Sequence, residues 1–147
     1  MNRLPPDFKE FLNLLSARQV EYLLVGGYAV GYHGYPRATV DLDIWIAIRP
    51  GNAEKVVAAL EEFGFSSPEL TKELFLEENR IVRMGVPPLR LEITTTISGV
   101  DFDECYAERV TDTIDGVPVN LISLRHLKVN KKASGRAKDI NDLENLP

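Results

Sequence analysis

Residues 25–46 read VGGYAVGYHGYPRATVDLDIWI. Two glycines stand where an apolar run, Tyr22-Leu-Leu-Val25, stops, and two aspartates one residue apart interrupt a second apolar run, Val40 to Ile48. A strand sends alternate side chains to opposite faces, so Asp41 and Asp43 fall on one face while Leu42, Ile44, Ile46 and Ile48 take the other and supply a core. Two carboxylates held that close repel each other, and loss of solvent strengthens the repulsion. A divalent cation between them would resolve it, and an oxygen-only donor set without His or Cys favours Mg²⁺ or Mn²⁺. Gly26 and Gly27 allow a sharp turn, a close approach of backbone to ligand and free N–H groups at the start of the next helix. Such a turn suits phosphate, and its spacing of about fourteen residues from the Asp-x-Asp strand fits an anion cradle and a metal site for one ligand; a turn used for packing alone and a strand-end Asp pair facing solvent are the alternatives.

Outside this stretch the pattern alternates helix and strand. Pro5 and Pro6 precede Phe8, Phe11, Leu12 and Leu15 at helical spacing, giving a first helix. Glu21–Val25 is the first strand, Tyr28–His33 a helix closed by Gly34-Tyr35-Pro36, and residues 40–48 the second strand. Pro50 opens a helix carrying Val56, Val57, Leu60 and Phe63 that Gly64 ends. A short helix is expected over residues 68–76, followed by strands Arg80–Met84 and Leu89–Thr95 around Gly85-Val-Pro-Pro88. Asp101–Arg109 reads as helix and Val110–Ile122 as a hairpin turning at Asp115-Gly116. Ser123 is placed to cap a basic helix over Leu124–Ala133, and after Gly135 a last helix runs from Ala137 to Leu146. The expected architecture is α/β (α+β): a mixed β-sheet with flanking helices, in a single domain over residues 1–147.

Composition narrows the setting. The 147 residues carry a net charge of −5 with 44% hydrophobic and 27% charged residues, ordinary for a globular chain. No run is apolar enough for a membrane helix, the start MNRLPPDFKE is not a signal peptide, and the single Cys105 has no disulfide partner, so a cytoplasmic protein is expected. Charge is uneven. Residues 116–138 hold six basic residues and no acid, while the rest holds eleven bases and twenty-two acids. A local cationic patch on an acidic body fits a confined anionic ligand such as a triphosphate or an RNA end, and equally a solvated basic helix. Lys128, Lys131 and Lys132 share one helix face by i, i+3, i+4 spacing.

Gly26-Gly27 followed by Arg37-x-Thr39-x-Asp41-Leu-Asp43 resembles the nucleotidyltransferase superfamily with the DNA polymerase beta-like fold. LRLEITTTISGVDFDECYAERV (89–110) and IDGVPVNLISLRHLKVNKKASGRAKDINDLENL (114–146) are similar to small stand-alone prokaryotic nucleotidyltransferase-like proteins, which include the AbiEii-type toxins of type IV toxin–antitoxin systems. The resemblance covers residues ~20–147. It implies a third carboxylate on a later strand, where Glu92 falls with Arg90 and Thr94 on the face opposite Leu91 and Ile93. The pattern departs twice: related sequences usually have Asp at position 92, and often Ser where Gly27 stands. The implied activity is transfer of an NMP from an NTP to an acceptor hydroxyl on RNA, protein or a small molecule, with Asp41, Asp43 and Glu92 as metal ligands and catalytic carboxylates, Glu92 also helping to deprotonate the acceptor. Gly26, Gly27, Arg37, Thr39, Lys131, Arg136 and Lys138 would contact the nucleotide, Arg37 through its planar fork. Asp139 reads rather as a helix-start charge or a partner for Lys131. An antitoxin partner is implied as well. The alternative is a nucleotide-binding or protein-interaction module of the same fold without turnover. Tyr28, Tyr32 and Tyr35 read as a packing stripe rather than a base-stacking one. Trp45, on the aspartate face, either floors the pocket or fills space, and neither His33 nor His126 has a partner that marks it as catalytic.

Overall fold

The structure, a computed structural model, describes residues 4–86 and 90–147. Its elements follow in the order α1 (Pro6–Ala17), β1 (Tyr22–Val25), α2 (Gly26–Tyr32), β2 (Asp41–Ile46), α3 (Pro50–Phe63), a 3-10 turn (Lys72–Leu76), β3 (Ile81–Met84), β4 (Arg90–Thr94), α4 (Phe102–Ala107), β5 (Val110–Ile114), β6 (Val117–Leu121), α5 (Leu124–Ser134) and α6 (Ala137–Asn145). The six strands form one mixed sheet in the order β3-β4-β2-β1-β6-β5. β2 runs parallel to β4 and antiparallel to β1, while β1 and β6 are parallel.

The period-2 reading of β2 and β4 places their apolar residues on one face. Leu42, Ile44, Ile46, Leu91 and Ile93 are buried against Phe8, Phe11, Leu12 and Leu15 of α1 and Val56, Ala59 and Leu60 of α3. Each such side chain contributes about 1.5–3 kcal/mol on leaving water. The opposite face carries the charged residues and a smaller cluster of Leu23, Val25, Trp45, Cys105, Ile122 and Leu127. The sheet is thus covered fully on one side and partly on the other, and the gap on the second side is the site.

Local signals set the boundaries. Gly64 closes α3 in the left-handed region at φ +117°, a conformation that favours glycine. The Ser123 hydroxyl accepts the His126 N–H at the start of α5. The hairpin turns at Asp115-Gly116 as its Asp-Gly sequence requires. The expected helix over 68–76 is only a 3-10 turn from Lys72 to Leu76, α2 begins two residues early at Gly26, and β2 ends at Ile46, with Ala47 to Arg49 outside the strand before α3. Pro87, Pro88 and Leu89, which the sequence places at a turn and a strand start, lie outside the described residues. No helix among the described residues is long and apolar enough to cross a membrane.

Candidate active site

The β2–β4 register sets Asp43 beside Glu92 and Asp41 beside Arg90. One carboxylate oxygen from each of Asp41, Asp43 and Glu92 lies within 4.8 Å of the others. The three acids are not equally compensated. Arg90 clamps Asp41 with two hydrogen bonds, Nε to Oδ1 at 3.0 Å and a terminal nitrogen to Oδ2 at 2.9 Å. Arg83 Nε reaches Glu92 Oε2 at 3.3 Å. Asp43 accepts no hydrogen bond among the described residues. Burial, reinforced by the charges of Glu92 and Asp41, pushes its pKa up to about 7, against the pull of Lys138 and Lys131. The unmet demand for positive charge therefore sits at Asp43. Arg90 lines the same cleft; alternation put it on the right face, but the sequence did not reveal its partner, because cross-strand register is not written in either strand alone.

The glycine turn is built against that carboxylate. Gly26 has φ +69°, and a Cβ there would lie 2.0 Å from Asp43 Oδ2, a contact no side chain can make. A Cβ on Gly27 would lie 2.6 Å from Thr39 Oγ1. The space that a side chain at 27 would fill is thus occupied by the Thr39 hydroxyl, which donates to the Asp41 carbonyl at 3.3 Å. Gly26 and Gly27, Thr39, the three acids and Lys131, Arg136 and Lys138 all line one cleft of about 510 Å³.

Two expected phosphate ligands are otherwise engaged. Arg37 does not line the cleft: its fork closes on Asp142, Nε to Oδ1 at 2.8 Å and a terminal nitrogen to Oδ2 at 3.0 Å. Lys131 reaches the cleft but is not the surface lysine that its spacing with Lys128 and Lys132 predicts. Its side chain is only 5% exposed, and Nζ sits 3.0 Å from Asp139 Oδ1 and 3.1 Å from Asp142 Oδ2. Arg136 Nε donates to the other Asp139 oxygen at 2.8 Å. Burial opposes ionisation of Asp139, but hydrogen bonds from Arg136, Ser134 and Lys131 outweigh it and hold the carboxyl well below its ordinary range. Asp142 is lowered in the same sense by Arg37 and Lys131 against its burial. The two aspartates of α6 thus fix the cationic wall, and the expected Lys131–Asp139 pairing is present.

The aromatic and histidine side chains are structural. Tyr28 is buried edge-on to Phe8, the Tyr32 hydroxyl donates to Asp112 at 2.6 Å, and the Tyr35 hydroxyl accepts from Asn141. Trp45, 2% exposed, fills space: Nε1 donates to the Thr95 carbonyl and the ring packs edge-on against Phe102. His33 bonds the Ile122 carbonyl, and His126 pairs with Ser123.

A mixed sheet carrying an acid triad on adjacent strands, faced by a double-glycine turn and a cationic helix pair, defines a nucleotidyltransferase-type protein, and solved structures of that kind share the fold. A Thermotoga maritima protein assigned as a nucleotidyltransferase superposes with a TM-score of 0.63 at 17% identity, over 93% of this chain and 88% of the other. The lincosamide antibiotic adenylyltransferase LnuA, bound to lincomycin, matches with a TM-score of 0.59 at 16% identity over 99% and 97%. The antibiotic-resistance factor ANT(2'')-Ia matches with a TM-score of 0.58 at 14% identity over 94% and 79%. The family model for aminoglycoside-2''-adenylyltransferase matches residues 7–146, and the chain belongs to that family. No curated protein matches it.

Proposed function

We propose that the protein transfers an NMP from an NTP to a hydroxyl of a small-molecule acceptor, using Mg²⁺ or Mn²⁺, as one domain over residues 1–147 acting in the cytoplasm. The observation that carries this reading is the uneven compensation of the triad, with a charge deficit at Asp43 directly beside the glycine turn. The donor set fits a hard divalent cation: three carboxylate oxygens within reach of one another and no nitrogen or sulfur ligand. Asp41, Asp43 and Glu92 would hold it. When bound, such an ion supplies Lewis-acid stabilisation of charge on the reacting phosphoryl group.

The chain's own residues do the rest. Gly26 and Gly27 let phosphate oxygens approach the backbone, and the Thr39 hydroxyl, bonded to the Asp41 carbonyl, fills the space of a side chain at 27. Arg136 and Lys138 neutralise the phosphates, Arg136 oriented by Asp139, while Lys131, tied to both Asp139 and Asp142, anchors that wall. Glu92 accepts the proton of the attacking hydroxyl. Arg37 acts at one remove, by holding Asp142. Support for a small acceptor comes from the adenylyltransferase relatives, one of which is solved with lincomycin and one with adenylyl-2''-tobramycin. A second reading takes an RNA end as acceptor and the chain as the enzyme of an AbiEii-type toxin–antitoxin pair. The exposed cations beside the cleft, Arg136 and Lys138, favour it.

The test is transfer of label from each α-³²P NTP, with Mg²⁺ or EDTA, to tobramycin, lincomycin or total tRNA. Glu92→Gln keeps the shape and removes the charge, so it is expected to lose at least about a hundredfold in rate with an unchanged unfolding midpoint. Binding of an NTP without transfer by the wild type would leave the non-catalytic module as the correct reading.

A further inference from the structure

The cations that line the cleft are not equally engaged. Arg90 closes its fork on Asp41, Arg136 gives two hydrogen bonds to Asp139, and Lys131 is tied to both aspartates of α6. Arg83 differs. It lines the same cleft with its side chain 56% exposed, and only Nε makes a hydrogen bond among the described residues, to Glu92 at 3.3 Å. The two terminal nitrogens make none there, although a guanidinium fork is the donor geometry that matches phosphate oxygens. Register fixes where that fork stands. Val25, Asp43, Glu92 and Arg83 are successive partners across β1, β2, β4 and the edge strand β3, and Gly26 follows Val25. Strands lie about 4.8 Å apart, so this row runs roughly 14 Å from the glycine turn to the sheet edge.

In-line displacement places attacking and leaving oxygens on opposite sides of the reacting phosphorus. With the leaving phosphates over the glycine turn and the α6 cations, the attacking hydroxyl stands over Glu92, and the next group of the acceptor falls about one strand spacing further out, at Arg83. Charge identifies that group. Arg90 and Arg83 are matched one to one by Asp41 and Glu92. When those two carboxylates hold a divalent cation their negative charge is shared with it, and the arginines become a surplus of positive charge on the acceptor side. Among the described residues no carboxylate outside the triad lines the cleft to receive a cationic acceptor. The adjoining pocket past Thr96 holds acids, but Asp103 pairs with Arg49 and Asp101 accepts the Glu104 N–H, leaving Glu78. We propose that Arg83 is an acceptor-binding residue and that the acceptor is a small phosphomonoester, whose phosphate meets Arg83 while its hydroxyl is attacked over Glu92. A phosphomonoester carries about −1.5 to −2 at neutral pH, which matches two surplus arginines better than the single charge of a diester. This inference rests on the nucleotidyl-transfer reading and narrows its small-molecule acceptor.

The experiment compares wild type, Arg83→Gln and Arg83→Lys, with ribose 5-phosphate, ribose, tobramycin and total tRNA as acceptor probes. Because Arg83 is exposed, the unfolding midpoint of Arg83→Gln is expected to match wild type. Binding is read first, by calorimetry in Mg²⁺ and saturating α,β-methylene-ATP, which cannot donate its nucleotidyl group. Wild type is expected to bind ribose 5-phosphate roughly ten- to hundredfold tighter than ribose, the worth of a hydrogen bond to a charged group. Arg83→Gln should erase that preference and Arg83→Lys should keep part of it. With labelled NTP the same ratio is expected in acceptor KM, with the NTP KM unchanged. Equal binding of the two sugars by wild type, or a preference that survives in Arg83→Gln, overturns the Arg83 role. A fall in kcat with every acceptor at constant KM would show that Arg83 acts on Glu92 instead, and overturns it as well. Transfer to tobramycin or tRNA in preference to ribose 5-phosphate keeps the nucleotidyl-transfer reading and refutes the phosphorylated acceptor alone. Wild type that transfers label to none of the four removes both.

Discussion

Replacing Asp43 with asparagine removes one of three negative charges from a site whose arginines already serve the other two. In the wild type the Asp43 carboxyl is raised from 3.8 to about 7. Between those values the folded protein keeps a proton that the unfolded chain releases, so stability is highest below pH 3.8 with respect to this group and falls as pH rises through the window. Above about 7 the full cost is present. A shift of about three units corresponds to about 4 kcal/mol at most; because the carboxylate still lines an open cleft, roughly 2 kcal/mol is the expected effect. In EDTA at about pH 8, Asp43→Asn should therefore be more stable than wild type by roughly 2 kcal/mol, a rise of roughly 5–8 °C in unfolding midpoint. Its stability should be flat across the pH window in which the wild type declines. Mg²⁺ plus NTP should reverse the order, since wild type gains about 2.7 kcal/mol at a hundredfold excess over Kd and the variant loses most of that gain. A variant less stable than wild type in EDTA at every pH would refute the reasoning and make the aspartate pair a structural device.

Gly26→Ala has to place a methyl 2.0 Å from Asp43 Oδ2 at a positive φ; a loss of about 2 kcal/mol or more and near-complete loss of transfer are expected, read by calorimetry and labelled NTP. Lys131→Met leaves Asp139 to Arg136 and Asp142 to Arg37. It should cost about 2–3 kcal/mol in urea denaturation rather than the near-zero cost of a surface lysine. The two aspartates have lowered pKa values, so their stabilisation is present above 3.8 and lost as pH falls; acid unfolding of the Lys131 variant should accordingly begin at higher pH than in wild type.

What the sequence made legible was most of what local period governs, the helix expected over 68–76 excepted. Alternation alone puts Asp41 and Asp43 on one face and aligns Glu92 with Arg90 and Thr94, and the positions of the glycines and of Asp115-Gly116 fix the turns. What it hid were pairings across the chain. Lys131 reads as exposed because Lys128 and Lys132 share its helix face, yet α6 covers that position and supplies two carboxylates. Arg37 reads as a phosphate fork because of its place before the aspartates, but Asp142, 105 residues away, closes it. The Arg90–Asp41 clamp depends on the β2–β4 register.

The clasp between Arg37 and Asp142 also bears on how the chain comes to life on the ribosome. Strands β2 and β4 are translated well before α5 and α6, and bridging 49 residues is enough to join Arg90 to Asp41, whereas 105 separate the two halves of the clasp. Contacts at such separation form late, because loop closure precedes any gain from them. A nascent chain that has made its acidic strands thus lacks Lys131, Arg136 and Lys138, and has the carboxylates without the cations. On the proposed function, competence toward nucleotide would arrive only when residues 124–145 have emerged and docked, and the order of assembly would keep a half-synthesised chain from consuming nucleotide.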